Sequence, residues 1–277
     1  MSVSNSLPPD WLDDDDPYPF AQSQVRSEDD EWTADKDMQY RIAQIPKGAG
    51  AFRTICIPSK EDKRRLRLLV PELDKILAAL DKHGVNYAFE KGKNCVLNAL
   101  RHVGHRYTLS MDLHEFFDSV TREHVEGLIP DSLLRKCLLH GSPRQGLPTS
   151  PLVATIAFLR CDDHIIRRLK SLHISAVYTR YADDLMFSFD ERKESARIRF
   201  VVERTVEEFG FKLNERKTRL QDSANGRVII TGLATDANGV YPTRVTKRKI
   251  RAATHQNKTD SLRGLVEWAK CKLPACN

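Results

Sequence analysis

The sequence predicts a globular fold of the α+β or α/β class. Segments with helical and strand-like periodicity alternate from about Tyr40 to the end of the chain, with no internal repeat and no Gly/Ser linker. Apolar residues make up 40% and charged residues 30% of the 277 positions, which suits a sizeable core beneath a hydrated surface. The six cysteines are scattered without a CxxC pair, so we expect reduced, mostly buried thiols and neither a zinc site nor a disulfide scaffold.

The expected location of the protein is the cytosol. No stretch approaches the ~20 consecutive apolar residues that a membrane helix needs. The N-terminal segment MSVSNSLPPDWLDDDDPYPF has neither the basic start nor the apolar run of a secretory signal. No membrane partner is therefore expected.

Charge divides the chain into an acidic arm and a basic body. Residues 1–37 contain 11 acidic and two basic side chains, a net charge of −9. This arm is rich in Asp, Ser and Pro and has too little apolar surface to offset the entropy of ordering, so we expect disorder. The other residues carry 42 basic and 27 acidic side chains, a net +15, which is typical of a protein that binds a polyanion. Nucleic acid is the leading partner, and a merely hydrated basic surface is the alternative.

The basic body opens with a predicted hairpin and a predicted helix. Residues 40–45 and 51–57 alternate apolar and polar side chains on either side of a Lys-Gly-Ala-Gly turn, which predicts two paired strands. The next helix is predicted from Ser59 to about Gly84, because Ser followed by Glu and Asp is typical of a helix start and leucines recur at spacings of three and four. Pro71 is expected to break or kink it.

Carboxylates are expected at the ends of two further strand-like segments. RYTLSMD alternates up to Asp112 and the chain then turns helical, whereas aromatic-rich segments on both sides of Ala182-Asp183-Asp184 predict a hairpin with an acidic tip. Adjacent carboxylates repel and resist burial, and a divalent cation would cancel that cost. Three such groups could hold two Mg²⁺ ions about 3.5 to 4 Å apart. A plain turn is the alternative for an Asp-Asp pair taken alone.

Five segments around these acids resemble, in order, the motifs of the reverse transcriptase family. MDLHEFFDS with Asp112 is similar to motif A, PRQGLPTSP at 143–151 to motif B, and Tyr181-Ala182-Asp183-Asp184 to motif C. Downstream, GFKLNERKTRL resembles motif D and VIITGL resembles motif E. The resemblance implies a right-hand polymerase fold of α+β class, with fingers and palm over residues 38–232 and a short, basic, helical thumb over residues 233–277.

Two shorter elements resemble those of retron-type reverse transcriptases. Asn98-Ala99-Leu100-Arg101-His102 looks like their NAxxH element, and Ile230-Thr231-Gly232 is close to their VTG element. The resemblance implies an RNA-directed DNA polymerase that copies a cognate structured non-coding RNA into single-stranded DNA. In retrons the product is branched because a 2′-hydroxyl of the RNA primes synthesis, and enzyme and product commonly act in antiviral defence with an effector protein. The alternatives are a non-catalytic RNA-binding scaffold and a group II intron-like or defence-associated bacterial reverse transcriptase.

The resemblance also implies roles for individual residues. Asp112, Asp183 and Asp184 are the expected catalytic residues and metal ligands, with two Mg²⁺ ions, or Mn²⁺ in their place, and with dNTPs as substrates. Phe117 is expected to crowd the sugar 2′ position and Lys217 to protonate pyrophosphate, the alternatives being a core aromatic and a hydrated helix-end lysine. The other assignments are Arg53 and Lys47 for the triphosphate, Gln145 and Gly146 for the nascent base pair, and Asn98, His102, Thr231 and Gly232 for the RNA.

Some residues depart from the family pattern or receive no role. Arg144 stands where motif B usually has proline, a change expected either to alter loop rigidity or to add a phosphate contact. Phe116 is expected in the core, and Asp162 and Asp163 are expected to be hydrated or to lie at a helix N-terminus. Only 45 residues follow Gly232, whereas a full retron-type thumb is longer, so the thumb is expected to lack its last helix.

Overall fold

A computed structural model of the chain describes residues 26–27, 33–35, 38–48 and 51–273, with side chains for 38–46 and 52–273. Its helices are α1 (Lys60–Arg67), α2 (Val70–Leu80), α3 (Cys95–Leu100), α4 (Phe116–Ser119), α5 (Arg122–Val125), α6 (Asp131–Cys137), α7 (Ser150–Ser171), α8 (Glu194–Glu208), α9 (Arg244–His255) and α10 (Thr259–Ala269). Its strands are β1 (Arg26–Ser27), β2 (Thr33–Asp35), β3 (Met38–Gly48), β4 (Ala51–Pro58), β5 (Tyr107–Asp112), β6 (Val177–Tyr181), β7 (Asp184–Phe189), β8 (Arg219–Asp222), β9 (Val228–Ile230), β10 (Leu233–Asp236) and β11 (Gly239–Pro242). The strands pair antiparallel within three sheets, so the class is α+β.

The predicted first hairpin is confirmed. β3 and β4 pair antiparallel from Tyr40 opposite Pro58 to Ile45 opposite Arg53, with an irregular register between Pro46 and Gly48. β1 and β2 also pair with β3. These two short strands lie within the acidic arm, and the rest of residues 1–37 lies outside the described residues, so the disorder expected for the arm stays a prediction.

The long predicted helix is two helices. Ser59 caps α1, because its hydroxyl accepts a hydrogen bond from the Asp62 backbone N–H at 3.1 Å. Pro71 lies in the first turn of α2, where its missing N–H leaves no hydrogen bond unmade, and the break expected at this proline is therefore confirmed. Leu73 and Leu77 of α2 pack into the main core against α7.

The central sheet has the strand order β6-β7-β5-β8 and holds the site. Its β5 and β7 strands run antiparallel with Asp112 directly opposite Asp184. One face packs on α7 and α8 through the main core, which includes Leu109, Met111, Leu185, Phe187, Phe158 and Val202. Met186 points instead into a second cluster formed with α3 and with the sheet β11-β10-β9. The middle of the sheet is covered on both faces, and the acids lie where its strands end.

The C-terminal part consists of the sheet β11-β10-β9 followed by α9 and α10. Thr231 and Gly232 form the turn between β9 and β10, which are paired with Ile230 opposite Leu233. The predicted boundary after residue 232 falls within this hairpin. The two C-terminal helices, α9 and α10, begin after Thr243, the N-cap of α9. Four of the thiols expected to be buried and reduced are so: Cys56, Cys95, Cys137 and Cys161. Among the described helices, none combines the length and apolar character that crossing a membrane requires.

Candidate active site

Three carboxylates meet where β5 ends and β7 begins. Asp112 is the last residue of β5, and Asp184 is the first residue of β7 and its direct partner across the sheet. Ala182 and Asp183 form the tip of the β6–β7 hairpin, with Ala182 in the left-handed region at φ +56°. The Leu113 N–H donates to the Asp183 carbonyl at 2.9 Å, which fixes the tip against the end of β5. The predicted hairpin and strand end are confirmed, and they bring the three acids together.

The electrostatics of this cluster favour a bound cation. Burial, followed by the charges of Asp183 and Asp112, raises the pKa of Asp184 to about 7. The pKa of Asp183 is also raised, first by burial and then by Asp112. Both shifts mean that the carboxylates destabilise one another when all are ionised. A positive charge placed among them would relieve this cost.

Lys217 supplies one such charge. Its Nζ lies 2.9 Å from both Oδ1 and Oδ2 of Asp112, and the hydrogen bond to Asp112 is the main reason that the pKa of Lys217 is raised. The segment before Lys217 is tied to β5, because the Asn214 N–H donates to the Asp112 carbonyl at 2.7 Å. The cleft here is lined by Ser110, Met111, Asp112, Asp184, Met186, Lys217 and Arg219. Lys217 lies just before β8, so it approaches Asp112 from the edge of β5 that faces away from β7.

The donor set fits a hard divalent cation. Three carboxylates on rigid strand ends, next to an open cleft, offer the oxygen ligands that Mg²⁺ and Mn²⁺ prefer. Within the described residues, no three His, Cys, Asp or Glu side chains are arranged so that they could bind a metal ion without moving. The ammonium of Lys217 lies against both oxygens of Asp112, so a cation that uses Asp112 would share this carboxylate with Lys217 or take its place there.

Comparisons with known proteins agree with the motifs. The family described as "Reverse transcriptase (RNA-dependent DNA polymerase)" matches residues 136–250. The Retron Ec86 reverse transcriptase of Escherichia coli is 30% identical over 230 residues, which cover 79% of this chain and 70% of that protein. The chain belongs to the retron reverse transcriptase family. The Retron Mx65 reverse transcriptase of Myxococcus xanthus is 32% identical over 247 residues, covering 78% of this chain and 56% of that protein, so the chain spans about half the length of such relatives.

Solved structures confirm the right-hand polymerase fold of this reverse transcriptase family member. Telomerase from Candida albicans, in a complex with a fragment of telomeric RNA, superposes with a TM-score of 0.54 and 14% identity over 73% of this chain and 45% of that one. A foamy viral protease-reverse transcriptase in complex with double-stranded DNA gives 0.52 and 19% over 90% and 38%. Following the predicted organisation, we refer to the β3–β4 hairpin as the fingers, to the central sheet as the palm, and to α9 and α10 as the thumb.

Arg53 of β4 lies within electrostatic range of the acid cluster. Arg53 is exposed on β4, and its guanidinium acts electrostatically on Asp183, opposing the rise in the pKa of that carboxyl. Lys47 belongs to β3, and its side chain lies outside the described residues.

The motif B loop contacts the fingers backbone to backbone. The Cys56 N–H donates to the Gln145 carbonyl at 2.7 Å. Gly146 has φ +105°, and a Cβ at this position would lie 2.3 Å from the Cys56 carbonyl oxygen. The sequence predicts that this glycine allows an approach to the base pair, but the close approach in the structure is to Cys56. The glycine is required because two stretches of backbone meet here.

Phe117 lies beside the motif B loop. It is half-buried and packs edge-on against Phe89, with 6.5 Å between ring centroids. Phe116 is buried, as predicted for a core residue. Arg144, the residue in place of proline, donates from Nη1 to Asp118 Oδ1 at 2.6 Å, and so links motif B to the helix that carries Phe117. Of the two expectations for Arg144, the structure thus supports an effect on the loop.

Two of the predicted RNA-binding residues are buried. Asn98 has no exposed surface, and His102 is 3% exposed, with one ring nitrogen 2.8 Å from Ser188 Oγ and the other 2.6 Å from Thr179 Oγ1. Direct contact of these side chains with RNA is therefore inconsistent with this structure, because the palm sheet and α3 enclose them. Thr231 is half-buried, and its hydroxyl donates to the Cys95 carbonyl at 3.3 Å, which joins the β9–β10 turn to α3.

The burial of His102 predicts a pH-dependent stability. Burial lowers its pKa from 6.5 to about 3, with smaller contributions from His105 and Arg101. Between these values the unfolded state binds the proton and the folded state does not, so stability falls as the pH drops below 6.5. The loss is about 1.4 kcal/mol at pH 5.5. Urea unfolding at pH 7 and 5.5 should show this extra loss in the wild type and not in His102→Gln, and equal losses in both would contradict it.

Proposed function

We propose that this chain is an RNA-directed DNA polymerase of the retron type, which copies a cognate structured RNA into single-stranded DNA. The observation that carries the proposal is the meeting of Asp112, Asp183 and Asp184 at one end of the central sheet, with the charges of Lys217 and Arg53 acting on the same cluster. Three mutually destabilising carboxylates are of no use to a passive RNA-binding scaffold, because they raise one another's pKa without contributing to binding.

The residues around the cluster would divide the work of nucleotide addition. Asp112, Asp183 and Asp184 would hold two Mg²⁺ ions, or Mn²⁺, which supply charge neutralisation at the attacking and leaving oxygens. Arg53 would clamp the triphosphate of the incoming dNTP, since a planar guanidinium binds two oxygens at once. The Lys47 side chain would assist it. Lys217 would move from Asp112 to the departing pyrophosphate and give it a proton.

The nascent base pair and the sugar would be read by motif B and by the helix of motif A. The motif B loop is fixed by the hydrogen bond from the Cys56 N–H to the Gln145 carbonyl. Because this bond uses only the backbone of Gln145, its side chain would be free to lie against the base pair. The Phe117 ring packs against Phe89, and the next residue in the chain, Asp118, is paired with Arg144 of motif B. A ring held in this way would exclude a 2′-hydroxyl by its bulk.

Removing the Phe117 ring should relax sugar selection. We expect Phe117→Ala to raise the incorporation of ribonucleotides relative to deoxynucleotides by about tenfold or more, because space opens at the 2′ position. Single-nucleotide incorporation with matched dNTP and rNTP measures this ratio. Phe200→Ala is the control, since Phe200 is 65% exposed on α8. An unchanged ratio in Phe117→Ala would assign the ring to packing alone.

RNA and the growing duplex would lie along the thumb. Arg244, Lys247, Arg248 and Arg251 recur on α9 at spacings that place them on one face, and each is exposed. Within the described part of the chain, none of the four makes an ion pair. Such a stripe suits phosphate contacts, whose strength falls steeply with salt. Gly232 and Thr231 lie in the β9–β10 turn next to the thumb, and we assign them to the RNA, whereas the buried Asn98 and His102 would act on RNA only through the residues that surround them.

Synthesis by the purified ribonucleoprotein tests the proposal. The protein is purified with RNA transcribed beside its gene, and labelled DNA is sought after adding Mg²⁺ and dNTPs. Labelled DNA supports the polymerase, and retained RNA without DNA supports the scaffold. Ribonuclease and debranching treatments then distinguish a branched product, primed from a 2′-hydroxyl, from a free 3′ end. A role in antiviral defence beside an effector protein belongs to the same proposal and is tested by phage challenge of cells that carry the wild-type or inactive gene.

A further inference from the structure

A buried ion pair lies directly behind the catalytic hairpin. Arg180 precedes the Tyr181-Ala182-Asp183-Asp184 segment by one residue, and its side chain is 0% exposed; Asp162, on α7, is 2% exposed. The Arg180 Nη2 donates to Asp162 Oδ2 at 2.7 Å, and Nε lies 3.1 and 3.2 Å from the two carboxylate oxygens. The expectation that Asp162 is hydrated is therefore wrong, whereas its neighbour Asp163 is a quarter exposed and pairs with Arg167.

The pair joins the hairpin to α7 and to the sheet. The Tyr178 hydroxyl donates to Asp162 Oδ1 at 2.6 Å, and the Tyr178 ring stacks on Phe187 of β7 with 4.6 Å between centroids. The Arg180 guanidinium also lies 5.1 Å from the centre of the Phe158 ring on α7. Both strands of the hairpin are therefore linked to one point on the helix that begins at motif B.

The backbone of Arg180 is held on its other side as well. Its N–H donates to the Val85 carbonyl at 2.8 Å, and its carbonyl accepts from the Tyr87 N–H at 2.8 Å. Residues 85–87 thus run parallel to β6 and join it to the chain that leads from the fingers. Arg180 is the residue at which the hairpin, α7 and this connecting segment all meet.

Stability alone is a poor reason to bury these charges. Taking an arginine and an aspartate out of water costs several kcal/mol, and apolar replacements of buried ion pairs are often neutral or stabilising. Within the described residues, Arg180 Nη1 finds no hydrogen-bond acceptor, which adds to the cost. Directional bonds do, however, fix a strand relative to a helix more narrowly than apolar contacts do.

We infer that Arg180 and Asp162 are positioning residues for nucleotidyl transfer. Their ion pair sets the angle of the β6–β7 hairpin on α7, and so keeps Asp183 and Asp184 in line with Asp112 and with the nucleotide that motif B holds. The inference rests on the proposed polymerase function and extends it to two residues that touch neither substrate nor metal. It explains why charge is retained in the core directly before the catalytic tip.

The test replaces the pair with apolar residues and compares it with a matched exposed pair. Arg180→Met/Asp162→Leu leaves no unpaired charge in the core, although the Tyr178 hydroxyl loses its acceptor, so its unfolding temperature should fall by only several degrees. Arg199→Met/Glu203→Leu, which removes an ion pair on the surface of α8, is the control. We expect the buried double variant to lose about tenfold to a hundredfold in kcat, with a smaller change in KM for dNTP, and to need several-fold more Mg²⁺ for half-maximal synthesis. The control should match the wild type.

The outcomes separate this inference from the proposed function. A folded buried double variant with wild-type kcat and Mg²⁺ requirement overturns the positioning role. If that variant does not fold, Arg180→Gln/Asp162→Asn removes both charges but keeps an acceptor for the Tyr178 hydroxyl, and unchanged kcat and Mg²⁺ requirement there overturn it equally. Failure of the wild type itself to make DNA would count against the polymerase; Mn²⁺ affinity, measured by electron paramagnetic resonance, then decides the positioning role, with equal affinity in wild type and double variant overturning it.

Discussion

Asp183→Asn is expected to lower DNA synthesis by roughly a thousandfold or more, because the hairpin tip loses a charged oxygen ligand at the point where two other acids meet it. The same loss is expected for Asp112→Asn and Asp184→Asn. Asp190→Asn is the matched control, since Asp190 follows the opposite end of β7 and is two-thirds exposed. Synthesis from the purified ribonucleoprotein measures the effect. An Asp183→Asn protein that keeps a tenth of wild-type activity would contradict the assignment.

Asp184→Asn should also stabilise the metal-free protein. The pKa of Asp184 is raised from 3.8 to about 7, first by burial and then by Asp183 and Asp112. Above pH 3.8 the unfolded state therefore ionises this group more readily than the folded state does, which lowers the free energy of unfolding. Asparagine removes that cost at neutral pH. Thermal unfolding in EDTA should therefore show a higher midpoint for Asp184→Asn than for the wild type, and added Mg²⁺ should raise the midpoint of the wild type more. A lower midpoint for the variant in EDTA would oppose this account of the cluster.

Gly146→Ala is expected to disrupt the contact between motif B and the fingers. The added Cβ would lie 2.3 Å from the Cys56 carbonyl oxygen, and both partners are backbone, so one of the two segments must move by about 1 Å. Overpacking and the positive φ together should cost about 3 kcal/mol of unfolding free energy. Because the displaced loop carries Gln145, kcat/KM for dNTP should fall by at least about tenfold.

Gly141→Ala separates the two costs. Gly141 also has a positive φ, +80°, but a Cβ there meets nothing within 4 Å. It should cost only about 1 kcal/mol and leave kcat/KM unchanged. Urea unfolding and steady-state kinetics on both variants make the comparison. Equal effects of the two substitutions would show that the contact with Cys56 is not what requires a glycine at position 146.

Local signals in the sequence predicted the parts of the site that lie on single elements. Alternating side chains located the end of β5 at Asp112, and the strand-like residues around Ala182-Asp183 located the hairpin, because period-two patterns and turn residues act over a few positions. Pro71 likewise marked the break between α1 and α2. The motif resemblance then supplied the pairing of these elements, which periodicity could not.

Contacts between distant segments were beyond such signals. The bond from Lys217 to Asp112 spans 105 residues and depends on how motif D folds across β5. The resemblance to the NAxxH element implies an RNA contact for His102, whereas in the structure Thr179 and Ser188 enclose its ring. For Arg180 a usable signal existed, because it is a charged residue within a strand-like segment. Asp162 has charged sequence neighbours, but it is in helical phase with Phe158 and Ile165, which face the core, and charges at such positions are buried only in pairs.

Direct measurement of metal binding tests the central claim, that Asp112, Asp183 and Asp184 together form the catalytic metal site. Mn²⁺ is titrated into the ribonucleoprotein in the presence of dNTP and followed by electron paramagnetic resonance, in the wild type and in the triple variant Asp112→Asn/Asp183→Asn/Asp184→Asn. We predict two bound ions per wild-type chain and neither in the triple variant beyond those that the RNA and dNTP bind alone. Equal binding by both proteins would contradict the claim.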